Sequence, residues 1–206
     1  SKKLKKDMSE KKVVFISDLH NYSYGKENEK LLKAIECEYP DMILSAGDLL
    51  VGDKKKSSEP AEKFMKSLAA KYPVYCGNGN HEQRMKEETD KYGEKYIEYK
   101  EQLVKTGVHL LENNSVWEGQ KVRISGLEIP LKYYRKFSGE KLSVKEIESC
   151  LGKANEKEFE ILLAHNPVHA ETYAKWGADL TLSGHLHGGM VRIPFGRGVI
   201  TPQARL

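Results

Sequence analysis

The chain has 206 residues, of which 39% are hydrophobic and 31% charged, a balance that excludes a disordered chain and points to one soluble, cored domain. Its net charge of +4 sits at the start, where Lys2, Lys3, Lys5, Lys6, Lys11 and Lys12 face only Asp7 and Glu10. The rest is formally neutral, which speaks against a broad nucleic-acid-binding face built from Lys and Arg.

Residues 1–12 are expected to be a flexible basic tail and residues 13–206 a single domain. The tail reads either as a solvated end or as a polybasic segment beside a membrane. Cys37, Cys76 and Cys150 contain no C-x-x-C pair, so neither a disulfide framework nor a thiolate zinc site is indicated. No apolar run approaches the length of a membrane-spanning helix, and the start lacks the pattern of a secretory signal. The first residue is Ser rather than Met, which leaves room for a removed upstream segment. The expected location is cytoplasmic or membrane-associated.

Along the chain, Val13-Val14-Phe15-Ile16 reads as a buried strand that ends in a polar loop at Asp18-Leu19-His20. Residues 29–39 have helical spacing through Leu31, Leu32, Ile35 and Tyr39, and Pro40 stops them. Met42-Ile43-Leu44 predicts a second strand leading into Ala46-Gly47-Asp48. Residues 60–71 read as a helix with Pro60 early, and Val74-Tyr75-Cys76 as a third strand that breaks at Gly77-Asn78-Gly79-Asn80-His81. Strands alternating with helices predict a sheet with parallel neighbours, and ligands gather beyond the carboxyl ends of such strands.

Residues 82–106 form a long charged stretch with Tyr92, Tyr96, Tyr99 and Leu103 on a helix-compatible stripe, read as a core-facing face. Trp117, Val122 and Ile124, following the Asn113-Asn114 turn, predict β structure and a second sheet. Residues 128–142, with Pro130, Tyr133, Tyr134 and Phe137, read as a loop. A strand over 159–164 then leads through His165-Asn166-Pro167 to a strand over 179–182 and Gly184-His185-Leu186-His187-Gly188-Gly189.

Five of the seven histidines (His20, His81, His165, His185, His187) fall where a predicted strand gives way to a loop. Histidines serving only the core would scatter, whereas these gather with Asp18, Asp48 and Asn80. Asp18 and His20 are two apart, so in extended backbone both point to one side and can seize one metal. His185 and His187 repeat that spacing. Gly47 lets the backbone turn tightly, so that the Asp48 carboxylate can lie between two ions. Asn80 adds a neutral carbonyl oxygen that keeps the site cationic enough to attract phosphate. Such mixed oxygen and imidazole donors suit manganese, iron or zinc. Two such ions clamp the attacking and leaving oxygens of an in-line displacement, the chemistry of phosphoester hydrolysis.

Asp18-x-His20, Gly47-Asp48, Gly79-Asn80-His81-Glu82, His165-x-Pro167 and Gly184-His185-x-His187 resemble, in order, the five motifs of the calcineurin-like metallophosphoesterase family. The resemblance implies an α/β fold, a two-sheet β-sandwich flanked by helices. It implies two divalent ions, one held by Asp18, His20, Asp48 and His187 and the other by Asp48, Asn80, His165 and His185. His81 would face the leaving group as an acid, with Glu82 as its orienting partner. His109 and His169 match no motif and are read as structural.

The stretch from Gly184 to Gly189, with Arg192, Pro194 and Gly196 after it, is most similar to a bacterial branch of small, often membrane-associated phosphodiesterases. Some of that branch are associated with cleaving the pyrophosphate of UDP-diacylglucosamine. Met190 stands where the branch often has Gln, and the chain ends nineteen residues after His187, so closing C-terminal strands are expected to be missing.

The implied activity is a metal-dependent phosphodiesterase or phosphatase acting on a phosphorylated small molecule or lipid-linked substrate. A nuclease would show a basic, aromatic-rich body instead, and a non-catalytic scaffold would have lost ligands. Lys132, Tyr133, Tyr134 and Arg135 either contact a phosphate substituent or are simply solvated.

Overall fold

In the computed structural model, residues 10–135 and 139–187 are described in full and residues 191–192 and 198–200 by their backbone. Most of the basic tail, together with Phe137, Met190, Pro194 and Gly196, lies outside the described residues. The apolar runs of the first third form β1 (Val13–Ile16), β2 (Met42–Ser45) and β3 (Val74–Gly77), joined by β4 (His109–Leu111). All four are parallel and stand in chain order, with Val14 opposite Ile43, Leu44 opposite Tyr75 and Cys76 opposite Leu110. Both β2 and β3 are buried along their whole length, as a parallel strand covered on both faces must be.

The second sheet contains β5 (Asn114–Glu118), β6 (Val122–Gly126), β7 (Phe159–Leu163) and β8 (Leu180–Leu182) in that order. Its β5 and β6 pair antiparallel across a tight turn, and β6, β7 and β8 run parallel. A separate two-stranded antiparallel pair forms from β9 (Val191–Arg192) and β10 (Gly198–Ile200).

Period-two alternation distributes the strand side chains among three cores. Met42 and Leu44 of β2, Tyr75, Leu111, Val122, Ile124, Ile161 and Leu163 fill the layer between the sheets. Ile43, Val74 and Cys76 point the other way, into the helices α1 (Glu29–Cys37) and α2 (Glu59–Ala69). Leu162 points outward from the second sheet onto α6 (Val144–Leu151) and α7 (Ala170–Trp176). The result is the expected order of helices, sheet, sheet, helices. Fully buried residues such as Phe64 and Leu68 of α2 each contribute roughly 1.5–3 kcal/mol of hydrophobic stabilisation.

The charged stretch after β3 is not one helix. It is divided into α3 (Asn80–Glu87), α4 (Thr89–Tyr92) and α5 (Lys95–Lys105). The breaks fall at Glu88, whose ψ of 58° leaves the helical region, and at Gly93, whose φ of 60° suits glycine. Tyr92, Tyr96, Tyr99 and Leu103 are all buried, so the stripe is a core face as expected. Among the described residues of 128–142, a 3-10 turn at Leu131–Tyr134 buries Tyr133.

The sequence pattern predicts no element at β4, α6 or α7. His109 stacks on Tyr75 with ring centroids 5.0 Å apart, and buried His169 packs edge-on against Tyr133, so both take structural places. Among the described residues, no helix is long and apolar enough to cross a membrane.

Parallel pairing places the carboxyl ends of β1, β2 and β3 along one edge of the first sheet, and those of β7 and β8 along one edge of the second. Each end opens into a loop that carries one of the five motifs.

Candidate metal centre

Asp48 Oδ2 is the atom on which the loops converge. His165 Nε2 lies 3.1 Å from it, His20 Nε2 3.9 Å and His81 Nε2 4.0 Å. Asp18 Oδ1 lies 3.3 Å from His187 Nε2, 3.7 Å from His165 Nε2 and 3.8 Å from His20 Nε2. His20 and His187 meet at 3.1 Å between their Nε2 atoms. The structure therefore brings together Asp18, His20, Asp48, Asn80, His81, His165, His185 and His187 from all five loops.

Two groups with donor atoms close enough to hold a metal emerge from the geometry. One is Asp18, His20 and His187, and the other is Asp48, His165 and His185. A third grouping, His20, Asp48 and His81, overlaps both.

Close backbone approach makes the cluster possible. A Cβ on Gly79 would lie 2.2 Å from Asp48 Oδ1, and one on Gly184 would lie 2.2 Å from Asp18 Oδ2. Asp18 then accepts the His185 N–H at 2.9 Å, and Asp48 Oδ1 accepts the His81 N–H at 2.8 Å. Five of the clustered residues, Asp18, His20, Asp48, His185 and His187, have φ between 48° and 69°. Left-handed backbone at residues other than glycine costs of order 1–3 kcal/mol each and gathers at functional sites.

Glu82 does not orient the His81 ring. It is 1% exposed, and its carboxylate accepts the N–H groups of Asp48 at 2.9 Å, Leu49 at 3.0 Å and Gly79 at 3.0 Å, clamping the loop after β2 to the loop after β3. The reason is geometric, since adjacent residues of a helix do not face each other. The ring of His81 is met instead by the backbone of Gly52, whose N–H donates to Nδ1 at 2.8 Å.

Burial pushes the Glu82 carboxyl up to about 7, reinforced by the Asp48 charge and opposed by its N–H donors. Burial opposes ionisation of Asp48 as well, but the charge and hydrogen bond of His165 together with the charge and N–H of His81 outweigh it and hold that carboxyl well below its usual range. His165 is raised correspondingly, burial being outweighed by Asp48 and Asp18. Burial lowers His20 and His81, and with the His165 charge it lowers His185 to about 4. Imidazoles kept neutral in this way retain one unprotonated ring nitrogen near neutral pH.

The residues fit divalent cations on two observations. The Asn80 side-chain oxygen stands 2.7 Å from His185 Nδ1 and 3.3 Å from Asp48 Oδ2. Turned about, the amide would donate to both, whereas oxygen inward sets three electron-rich atoms around one point, as a cation requires. Secondly, His165 Nδ1 meets the Ala46 carbonyl at 2.9 Å, the kind of outer contact that aims the Nε2 lone pair of a metal-binding histidine.

Of the loop residues singled out in sequence, Tyr134 reaches the cluster, its ring edge-on to His185 with centroids 5.0 Å apart. Lys132 and Arg135 are exposed, and Tyr133 donates its hydroxyl to Glu146.

The family described as Calcineurin-like phosphoesterase matches residues 11–189. The chain is 27% identical to the metallophosphoesterase YkuE of Bacillus subtilis, covering 93% of this chain and 63% of that protein. It is 30% identical to the metallophosphoesterase Cj0846 of Campylobacter jejuni, covering 93% and 47%. It is 25% identical to the phosphodiesterase YaeI of Escherichia coli, covering 89% and 63%. The chain thus spans between about half and two thirds of the length of these bacterial relatives.

Proposed function

Because the chain belongs to the calcineurin-like phosphoesterase family, whose members are metal-dependent, we propose that it hydrolyses phosphoester bonds at a centre for two divalent ions. Asp18, His20, Asp48 and His187 would hold one, and Asp48, Asn80, His165 and His185 the other. The observation that carries this reading is Asp48 Oδ2, which borders both groups of donors, 3.1 Å from His165 and 3.9 Å from His20. When bound, the ions would supply Lewis acidity toward the phosphoryl oxygens and a water acidified toward neutral pH. Manganese, iron and zinc all suit the donor set.

The residues of the chain do the positioning. Asp48, fixed through its own N–H by Glu82 and through Oδ1 by the His81 N–H, keeps Oδ2 pointed at the centre. Asn80 adds an uncharged oxygen, so the site retains net positive charge for an anionic substrate. His81 presents Nε2 to the leaving-group side. Tyr134 walls the side of His185 and is placed to touch the phosphate substituent.

A phosphodiester of a small or lipid-linked molecule is the proposed substrate class, supported by the relative YaeI, named a phosphodiesterase, and by the formally neutral body of the chain. Residues 13–206 are taken as one domain. The experiment is a manganese-loaded assay comparing a phosphomonoester, a phosphodiester and a nucleotide-sugar pyrophosphate. Turnover of at least one ester, abolished by EDTA and strongest on a diester, is expected. No turnover of any of the three would contradict the reading.

A further inference from the structure

The contact that holds the His81 ring carries no sequence signature. Gly52 lies four residues beyond Asp48, and its N–H donates to His81 Nδ1 at 2.8 Å. A Cβ at Gly52 would stand 2.9 Å from the His81 carbonyl oxygen and 3.3 Å from Nδ1, so the approach needs glycine. The Gly52 carbonyl in turn accepts the hydroxyl of buried Tyr92 at 2.8 Å, which ties the loop to α4. A ring nitrogen that accepts a hydrogen bond bears no proton, and neutral imidazole carries its one proton on the other nitrogen. Here that nitrogen is Nε2, 4.0 Å from Asp48 Oδ2.

We propose that Gly52 and Tyr92 are positioning residues that hold His81 in its Nε2–H tautomer, so that the ring offers the centre a hydrogen-bond donor and no lone pair. The proposal deepens the phosphoesterase reading and rests on it. Two consequences follow from the chemistry. His81 lies among donor atoms that could hold a metal with His20 and Asp48, yet in this tautomer its inward nitrogen cannot ligate one. An N–H aimed at a phosphoryl or leaving oxygen stabilises the charge that grows there during displacement, as a preorganised donor does. Histidines whose Nδ1–H donates to a carboxylate or carbonyl carry the opposite tautomer and turn a lone pair inward. The Ala46 carbonyl sets His165 in that manner, so one centre contains both arrangements.

The test is nitrogen NMR on the full chain, uniformly labelled with nitrogen-15 and loaded with zinc, the His81 signals being assigned by their loss in His81→Gln. A through-hydrogen-bond coupling between the Gly52 amide nitrogen and His81 Nδ1 is expected, with Nε2 protonated and Nδ1 not. Tyr92→Phe should populate the second tautomer and lower kcat about fivefold, as loss of about 1 kcal/mol of positioning would, with KM and zinc content unchanged. A protonated Nδ1 in the native chain, or no coupling to Gly52, would overturn the proposal. The spectrum needs no turnover, so a chain that shows the coupling but hydrolyses no ester would defeat the proposed function and not the tautomer.

Discussion

Asp48 and His187 belong to the same cluster and are held in opposite ways. The Asp48 side chain is 1% exposed, its Oδ1 takes the His81 N–H, and it packs against Gly79 in space that a Cβ there would fill. The His187 side chain is 48% exposed, and it meets the side chains of His20 and Asp18. The loops of the first sheet thus build a rigid frame from backbone amides, glycines and the Glu82 clamp. The loop after β8 brings its donors to that frame through the Asp18 carboxylate, which accepts the His185 N–H. Rigidity in this site comes from backbone contacts and not from the identity of the donors.

If the frame matters most, the largest effect belongs to Asp48→Asn. It removes the buried negative charge that borders both groups of donors, a change of about 3–5 kcal/mol, and metal affinity at both positions should fall by roughly 10²–10³-fold in a titration followed by elemental analysis. Next comes His81→Ala, expected to lower turnover by about 10²–10³-fold, the usual effect of deleting one preorganised donor, while the metal content stays at the native value. A variant that sheds its metals would make His81 a ligand. His187→Ala should do less, on the order of tenfold in affinity or about 1.4 kcal/mol, and at the Asp18 position alone. A loss as large as that of Asp48→Asn would erase the contrast between the two halves.

The smallest effect sharpens the frame side and concerns stability. Glu112, at the end of β4, accepts from Tyr96 at 2.7 Å and pairs with Lys86 at 2.7 Å and with Lys100. Burial opposes its ionisation, but Lys100, Lys86 and Tyr96 outweigh it and lower the carboxyl to about 2. A depressed carboxyl stabilises the fold above its unfolded value and loses that contribution as pH falls through the folded one. The Glu112 contribution should therefore disappear between about 4.5 and about 2. Thermal melts across that window should fall less steeply with acid in Glu112→Gln than in the native chain, and parallel curves would remove Glu112 from the acid response.

Much of this was legible in the sequence because its signals are local. The runs at Val13, Met42, Val74 and Phe159 are short, apolar and followed at once by polar motif residues, so each strand and its functional loop could be read together. Legibility failed where the determinant is tertiary. β4 has three residues, α6 eight and α7 seven, too short for periodicity to declare itself; β4 is defined by its pairing with β3, and the apolar faces of α6 and α7 by the second sheet beneath them. The stripe from Tyr92 to Leu103 is consistent with one helix, and only the φ at Gly93 shows where it divides. Glu82 follows His81 in sequence, which suggested a pair, but α3 turns its carboxylate toward Asp48, Leu49 and Gly79. No residue type marks Gly52 as the partner of His81, since the contact is made by a peptide N–H.

In the proposed function one carboxylate, Asp48, serves two ions. The most direct test is elemental analysis of the purified full chain and of Asp48→Asn after equilibration with manganese and desalting. The account predicts close to two ions per native chain, and the loss of both from the variant. One ion per native chain, or two retained by Asp48→Asn, would contradict it.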